Sequence, residues 1–92
     1  MAAVSYHAAT STLFFVPSFF NARDVGVFVS WRSGVAAGST IRKGQVLAVV
    51  FWDDGLQQSI ASPITGTIRR TNRRIVHEQL HMSPPQWALV LG

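Results

Sequence analysis

The sequence lacks cysteine and has little charge, and both shortages limit its chemistry. None of its 92 residues is a cysteine, which excludes a disulfide scaffold, a thiol nucleophile, an iron–sulfur cluster and a cysteine zinc site. Charged residues make up 13% of the chain and apolar residues 48%, whereas an average soluble domain is about 25% charged. This composition also excludes an intrinsically disordered chain, which would be rich in charge and poor in aromatic residues.

Lysine and long apolar runs are scarce as well. Lys43 is the only lysine, and the other basic residues are all arginines. The longest apolar runs, Leu13–Val16 and Val46–Trp52, are far shorter than the roughly 20 residues that cross a bilayer. The N-terminus also lacks the basic start of a signal peptide. We therefore expect a cytoplasmic protein that makes no contact with membranes.

The small amount of charge is biased towards basic residues. Eight Lys and Arg against four Asp and Glu give a net charge of +4. A small domain with so few charges must expose apolar surface or bury it against a partner. We therefore expect self-association into an oligomer or docking on a larger protein, with a poorly soluble monomer as the alternative.

Short runs of strand-forming residues predict an all-β fold. No window has the apolar spacing of a capped helix, whereas runs rich in Val, Ile, Phe and Trp are bounded by turn-forming residues. The length fits one domain, predicted at residues 12–92 after an N-terminal arm at residues 1–11. The predicted strands are Thr12–Val16, Val25–Trp31, Val46–Trp52, Leu56–Ala61, Gly66–Arg70, Ile75–Val76 and Trp87–Leu91.

Three segments predict the turns between these strands. The Asp-Asp-Gly sequence of Asp53–Gly55 lies between two apolar runs, and Asp-Gly favours the positive φ angles of a tight hairpin. Arg42–Gln45 predicts a turn into the strand that follows it. Ser62–Gly66 predicts a corner, because Pro63 removes a backbone donor from the sheet.

The two halves of the sequence also match at an offset of about 40 residues. A glycine is followed in both halves by apolar residues at equivalent strand positions, which indicates two similar β units related by pseudo-twofold symmetry. The matching pairs are Gly26 with Gly66, Phe28 with Ile68, Val35 with Ile75, Val49 with Leu89 and Val50 with Val90.

Two of these segments carry a resemblance to a known family. Gly38–Leu47 has the sequence Gly-Ser-Thr-Ile-Arg-Lys-Gly-Gln-Val-Leu, and Ile60–Ile68 has Ile-Ala-Ser-Pro-Ile-Thr-Gly-Thr-Ile. Together with Trp31 and the opening Phe-Val-Pro of Phe15–Pro17, they resemble the biotinyl/lipoyl attachment domain. The resemblance covers residues 13–91. It implies a flattened β-barrel, or barrel-sandwich hybrid, of two pseudo-symmetric four-strand halves.

The chain departs from that family at the hairpin tip. The resemblance implies a tip lysine, to which a ligase joins biotin or lipoate, but the tip here consists of Asp53, Asp54 and Gly55. None of these residues has a nucleophilic amine. Lys43 belongs to the turn before the preceding strand, roughly 25–30 Å away along that strand. We therefore expect a domain that binds no cofactor and cannot be modified at its tip.

Two groups of side chains are candidate interaction sites. Phe51, Trp52 and Leu56 flank the tip and are predicted anchors of a protein interface, where aromatic residues are enriched. The alternative is that these side chains divide between the core and neighbouring loops. The second group is an arginine cluster around a turn, made of Arg69, Arg70, Arg73 and Arg74.

The arginine cluster has three interpretations. Arginine binds phosphate well, so the cluster could contact nucleic acid or another anion. No aromatic residue lies within it, and small β-barrels that bind nucleic acid place exposed aromatic side chains beside their basic residues. We therefore favour a solvated turn or an acidic partner surface over nucleic acid.

The remaining candidates for chemistry are weak. His77, Glu78 and His81 have the spacing His-Glu-x-x-x-His, which differs from the zinc motif His-Glu-x-x-His, and prolines follow closely. We interpret this segment as a surface loop without a metal. No nucleophile is paired with a base and an orienting group, so we expect no enzyme.

These observations predict a non-catalytic interaction module. It would dock on a carrier-dependent carboxylase or dehydrogenase assembly and compete with the true carrier domain without delivering a cofactor. Two alternatives remain open at this point. The chain could be a biotin or lipoyl carrier that is modified elsewhere, or a small basic β-barrel that binds nucleic acid.

Overall fold

The computed structural model describes residues 2–22, 27–72 and 86–92. Strands dominate these ranges, as predicted, and a single four-residue α-helix and one 3-10 turn accompany them. The strands are β1 Val4–His7, β2 Thr12–Phe15, β3 Val27–Trp31, β4 Thr40–Ile41, β5 Val46–Trp52, β6 Gln57–Ala61, β7 Gly66–Thr71 and β8 Trp87–Leu91. The helix, α1, is Pro17–Phe20, and the 3-10 turn is Ala8–Thr10.

The strands form two antiparallel sheets. One sheet has five strands in the order β1-β2-β8-β7-β4, and the other has three in the order β3-β5-β6. The all-β prediction is therefore confirmed, whereas the described strands divide five to three and not four to four. The first sheet includes β1, which lies in the segment that we expected to be an N-terminal arm.

One hydrophobic core joins the inner faces of the two sheets. Its largest fully buried side chains come from both sheets and from α1, so burial ties the sheets together. Phe15 and Phe20 meet edge to face, with ring centroids 5.3 Å apart, in the geometry that aromatic pairs prefer. The other large members are Leu13, Val29, Ile41, Leu47, Val50, Ile68 and Leu89.

Register shifts of the β-bulge kind occur in three strand pairs of the described residues and affect which side chains point outwards. An extra residue in one strand shifts the alternation of faces. In β5 the bulge leaves Leu47 and Ala48 both buried, and in β7 it leaves Arg69 and Arg70 both exposed. A third register shift lies between β2 and β8. Sequence alternation alone therefore misassigns the facing of residues near each bulge.

The proposed repeat at an offset of 40 does not extend to the facing of side chains. Phe28 is 40% exposed, whereas its counterpart Ile68 is 1% exposed. Val49 is half-buried on the outer face of its sheet, while Leu89 is fully buried. Equal sequence spacing therefore does not give equal orientation in the two sheets.

The strand boundaries agree well with those predicted, apart from short elements. The predicted strands Val46–Trp52 and Trp87–Leu91 match β5 and β8, and Ile75–Val76 lies outside the described residues. The prediction of an N-terminal arm at residues 1–11 was wrong, because β1 pairs along its length with β2 and buries Val4. The sequence does not predict α1, because a helix of a single turn is too short to show helical periodicity.

Candidate interaction surfaces

The tip of the β5–β6 hairpin is a three-residue turn, as predicted. Gly55 N donates to Trp52 O (2.9 Å), Trp52 N donates to Leu56 O (2.9 Å), and Gly55 has φ +91°. A turn followed by a left-handed residue is a common three-residue hairpin connection. Asp54 Oδ1 also accepts a hydrogen bond from Leu56 N (3.2 Å), so the Asp-Asp-Gly sequence specifies this turn.

The tip and the only lysine lie at opposite ends of β5. Asp53 and Asp54 are exposed at the tip, where they offer carboxylates and no amine. Lys43 lies before the seven-residue strand, which spans about 23 Å. Its turn is fixed by backbone hydrogen bonds from Lys43 N to Thr65 Oγ1 (3.0 Å) and from Gly44 N to Ser62 O (2.7 Å). The only lysine of the sequence therefore lies far from the hairpin tip.

The three candidate residues around the tip occupy three different environments. Trp52 is 4% exposed, packs against the rings of Phe19 and Phe20, and donates from Nε1 to Gln58 Oε1 (2.7 Å). Trp52 is therefore a core residue, and its prediction as an interface anchor was wrong. Leu56 is 51% exposed. Phe51 is half-buried on the outer face of the three-stranded sheet.

Phe51 is part of an apolar platform on that outer face, which we define as Phe28, Val49 and Phe51. The rings of Phe28 and Phe51 stack with centroids 4.9 Å apart and planes at 12°, because the two residues are direct partners between β3 and β5. The platform borders an open groove of about 380 Å³. The groove is lined by Ser30, Trp31, Arg32, Ser33, Val49 and Phe51.

The described arginines of the cluster lie on the other sheet. Arg69 and Arg70 are both exposed on β7, and the aliphatic part of Arg69 covers the backbone of Gly92. The guanidinium carbon of Arg70 lies 5.1 Å from the ring centroid of Trp87, within cation–π range. No aromatic residue lies within the cluster's own sequence, but the fold brings Trp87 beside Arg70. Arg73 and Arg74 lie outside the described residues.

Residues 2–22, 27–72 and 86–92 contain no group of three or more side chains able to hold a metal ion. Across those ranges, no helix has the length and apolar character needed to span a membrane. The segment with His77, Glu78 and His81 lies outside the described residues.

Sequence reasoning missed Phe28 and Trp87, which complete the two surfaces. Both lie in predicted strands, but their importance depends on partners in other strands: Phe51 for Phe28 and Arg70 for Trp87. The aromatic residues themselves were the available signal. Cross-strand register, which sets the pairing, could not be obtained from the local sequence.

No protein-family model, curated protein or solved structure matches this chain. The likeness to the biotinyl/lipoyl domain therefore rests on the sequence motifs alone.

Proposed function

We propose that this chain is a non-catalytic protein-interaction module with a biotinyl/lipoyl-like frame that carries no cofactor. In this proposal the apolar platform docks on a carrier-dependent enzyme assembly and competes with the true carrier domain. The observation that carries the proposal is the stacked, solvent-facing pair Phe28 and Phe51, on the sheet whose hairpin tip has no lysine.

The geometry of the platform suits a protein interface. Phe28 is 40% exposed, so a partner that covers it removes apolar area from water, at roughly 25 cal/mol per Å². The two rings already hold each other in place, and docking therefore costs little side-chain entropy. Aromatic residues with such properties are frequent centres of binding energy in interfaces.

The tip explains why such a module would not act as a carrier. Amide attachment of biotin or lipoate needs a nucleophilic amine, and Asp53 and Asp54 supply carboxylates. The hairpin itself keeps a defined shape through Gly55 and the hydrogen bonds around it. A domain with this tip would present the shape of a carrier hairpin and deliver no cofactor.

Docking can be tested by gel filtration of the purified protein with biotin- and lipoate-dependent complexes. We expect the wild-type chain to co-migrate with one of them and the double variant Phe28→Ser, Phe51→Ser to elute alone. Tyr6→Ser is the matched control, because it removes an exposed aromatic side chain from the other sheet. Failure to co-migrate with any complex would contradict the proposal, as would undiminished binding of the double variant.

The carrier frame can be tested by adding the missing amine. Asp53→Lys places a lysine at the tip and leaves the hydrogen bond from Leu56 N to Asp54 Oδ1 in place. After co-expression with biotin and lipoate ligases, we expect the intact mass to increase for the variant and to stay unmodified for the wild type. A modified wild type would identify a carrier that is modified elsewhere, and an unmodified variant would count against the frame.

A further inference from the structure

A continuous line of aromatic and basic side chains crosses the outer face of the five-stranded sheet. We define this aromatic–basic strip as His7 on β1, Phe14 on β2, Trp87 on β8 and Arg70 on β7. The rings of His7 and Phe14 meet with centroids 4.7 Å apart, Phe14 and Trp87 are direct partners across β2 and β8, and Arg70 lies over Trp87.

The strip is accessible and carries one sign of charge. His7 and Arg70 are exposed, and Phe14 and Trp87 are half-buried, so the sheet holds the two central rings while leaving part of each open. The neighbouring Arg69 is also exposed because of the β7 bulge. None of the five strands in this sheet contains an Asp or Glu.

We propose that the aromatic–basic strip binds single-stranded nucleic acid. Bases stack on Phe14 and Trp87, and backbone phosphates pair with Arg69 and Arg70. The proposal goes beyond protein docking, because it concerns the other sheet and a different class of ligand. Base–aromatic stacking beside basic residues is the mode by which small β-barrels bind single strands, and arginine planes themselves stack on bases.

The occupant follows from the combination of flat rings and positive charge. An acidic peptide would satisfy the arginines and leave the aromatic rings without matching planar groups. A duplex presents phosphates but keeps its base faces stacked inside the helix. A single strand offers both repeated negative charge and unstacked bases, so it complements every member of the strip. The net charge of +4 attracts such a polyanion from a distance.

Binding can be measured by fluorescence anisotropy with labelled oligothymidylate, oligouridylate and a duplex of the same length. We expect the single strands to bind at low salt and the duplex to bind more weakly. The affinity should fall with salt, by a slope of about 0.7 in the logarithm for each phosphate contact. The DNA and RNA arms show whether the 2′-hydroxyl contributes.

Variants separate stacking from general attraction. Trp87→Leu should weaken binding roughly 5- to 100-fold through lost stacking, whereas Trp87→Phe keeps a ring and should stay within about fivefold of wild type. Arg70→Gln should lower the salt slope by about 0.7. Arg32→Gln, which removes the same charge beside the three-stranded sheet, is the control. Thermal melting confirms that each variant is folded.

Intrinsic fluorescence gives a readout that needs no destabilising variant. Bound bases should quench the emission of Trp87, and the quench should disappear in Trp87→Phe although binding persists. Absence of binding at low salt, a preference for the duplex, or binding with no change in emission would each overturn the proposal. Equal losses of affinity in Arg70→Gln and Arg32→Gln, with no loss in Trp87→Leu, would mean that binding is only nonspecific electrostatic attraction. This outcome would also overturn the proposal.

Discussion

The two sheets share one core but differ in what they present to solvent. On the three-stranded sheet, two phenylalanine rings stack on each other, and the hairpin beyond them ends in two aspartates. On the five-stranded sheet, aromatic rings adjoin a histidine and an arginine. Aromatic residues occur on both outer faces, so their presence alone does not identify a partner. We base the two proposed partners on the charged side chains nearby, which are Arg32, Asp53 and Asp54 by the three-stranded sheet and arginines with no Asp or Glu in the strands of the five-stranded sheet.

Phe51 and Trp52 are neighbours on β5 that face opposite sides of the sheet. The difference between them in their effect on the free energy of unfolding is the largest effect that we expect. Trp52→Ala should lower the free energy of unfolding by about 3–5 kcal/mol, because it removes a large buried ring. Phe51→Ala should lower it by only about 1–2 kcal/mol, because it removes a stacking contact worth about 1 kcal/mol and the burial of only part of a ring.

Urea denaturation of the two variants measures this difference directly. Similar losses of stability would mean that Phe51 is held in place for the fold. The outer face of the three-stranded sheet would then not be a surface left available for a partner.

Much of this arrangement could be predicted from the sequence, but not the facing of its residues. Val46–Trp52 reads as a strand from its composition, and the bulge that buries both Leu47 and Ala48 has no local signature. The sequence identified Phe51 as a candidate and missed Phe28, because their stacking depends on register between β3 and β5. Register is set by pairing across the sheet and by the whole buried face.

The strip on the five-stranded sheet was harder still to predict. His7 lies in a segment of the chain that looked like an arm, and Trp87 is separated from Arg70 by a long stretch of sequence. Strand β1 has only four residues. Its position is fixed by pairing with β2 and not by a recognisable pattern in its own sequence. Local composition therefore predicts the strands, while tertiary pairing builds both surfaces.

A second prediction asks whether the two outer faces act independently. Phe28→Ser with Phe51→Ser should weaken docking to a protein partner by about 30-fold or more, as expected for the loss of central aromatic anchors worth about 2 kcal/mol. The same variant should bind single-stranded oligonucleotides within about twofold of wild type, because distant sites are additive. Parallel gel filtration and anisotropy measurements test this, with Trp87→Leu as the reciprocal variant. Loss of both activities in one folded variant would show that the two surfaces do not act independently.

A third prediction concerns the hairpin tip, which belongs to the platform's sheet. Gly55 has φ +91°, a conformation that costs a residue with a side chain about 1–2 kcal/mol. Gly55→Ala should therefore reduce the free energy of unfolding by that amount. Gly34→Ala is the matched control, since Gly34 lies in a turn without a positive φ and has open space around its Cα. Equal effects in the two variants would show that the tip conformation is not specified by its glycine.

The smallest expected effect is that of Arg70→Gln on the free energy of unfolding, and it shows whether Arg70 is available to a ligand. Its contact with Trp87 is a cation–π pair at an exposed position, which is worth about 0.5–1 kcal/mol. Arg70→Gln should therefore lower the free energy of unfolding by no more than this, and Arg32→Gln should leave it nearly unchanged. A loss above about 2 kcal/mol, the upper end for desolvated cation–π pairs, would make Arg70 a structural residue, tied to β8. Its guanidinium would then not be free to exchange the ring of Trp87 for a phosphate, and the contrast in charge between the two outer faces would reflect the fold and not a ligand.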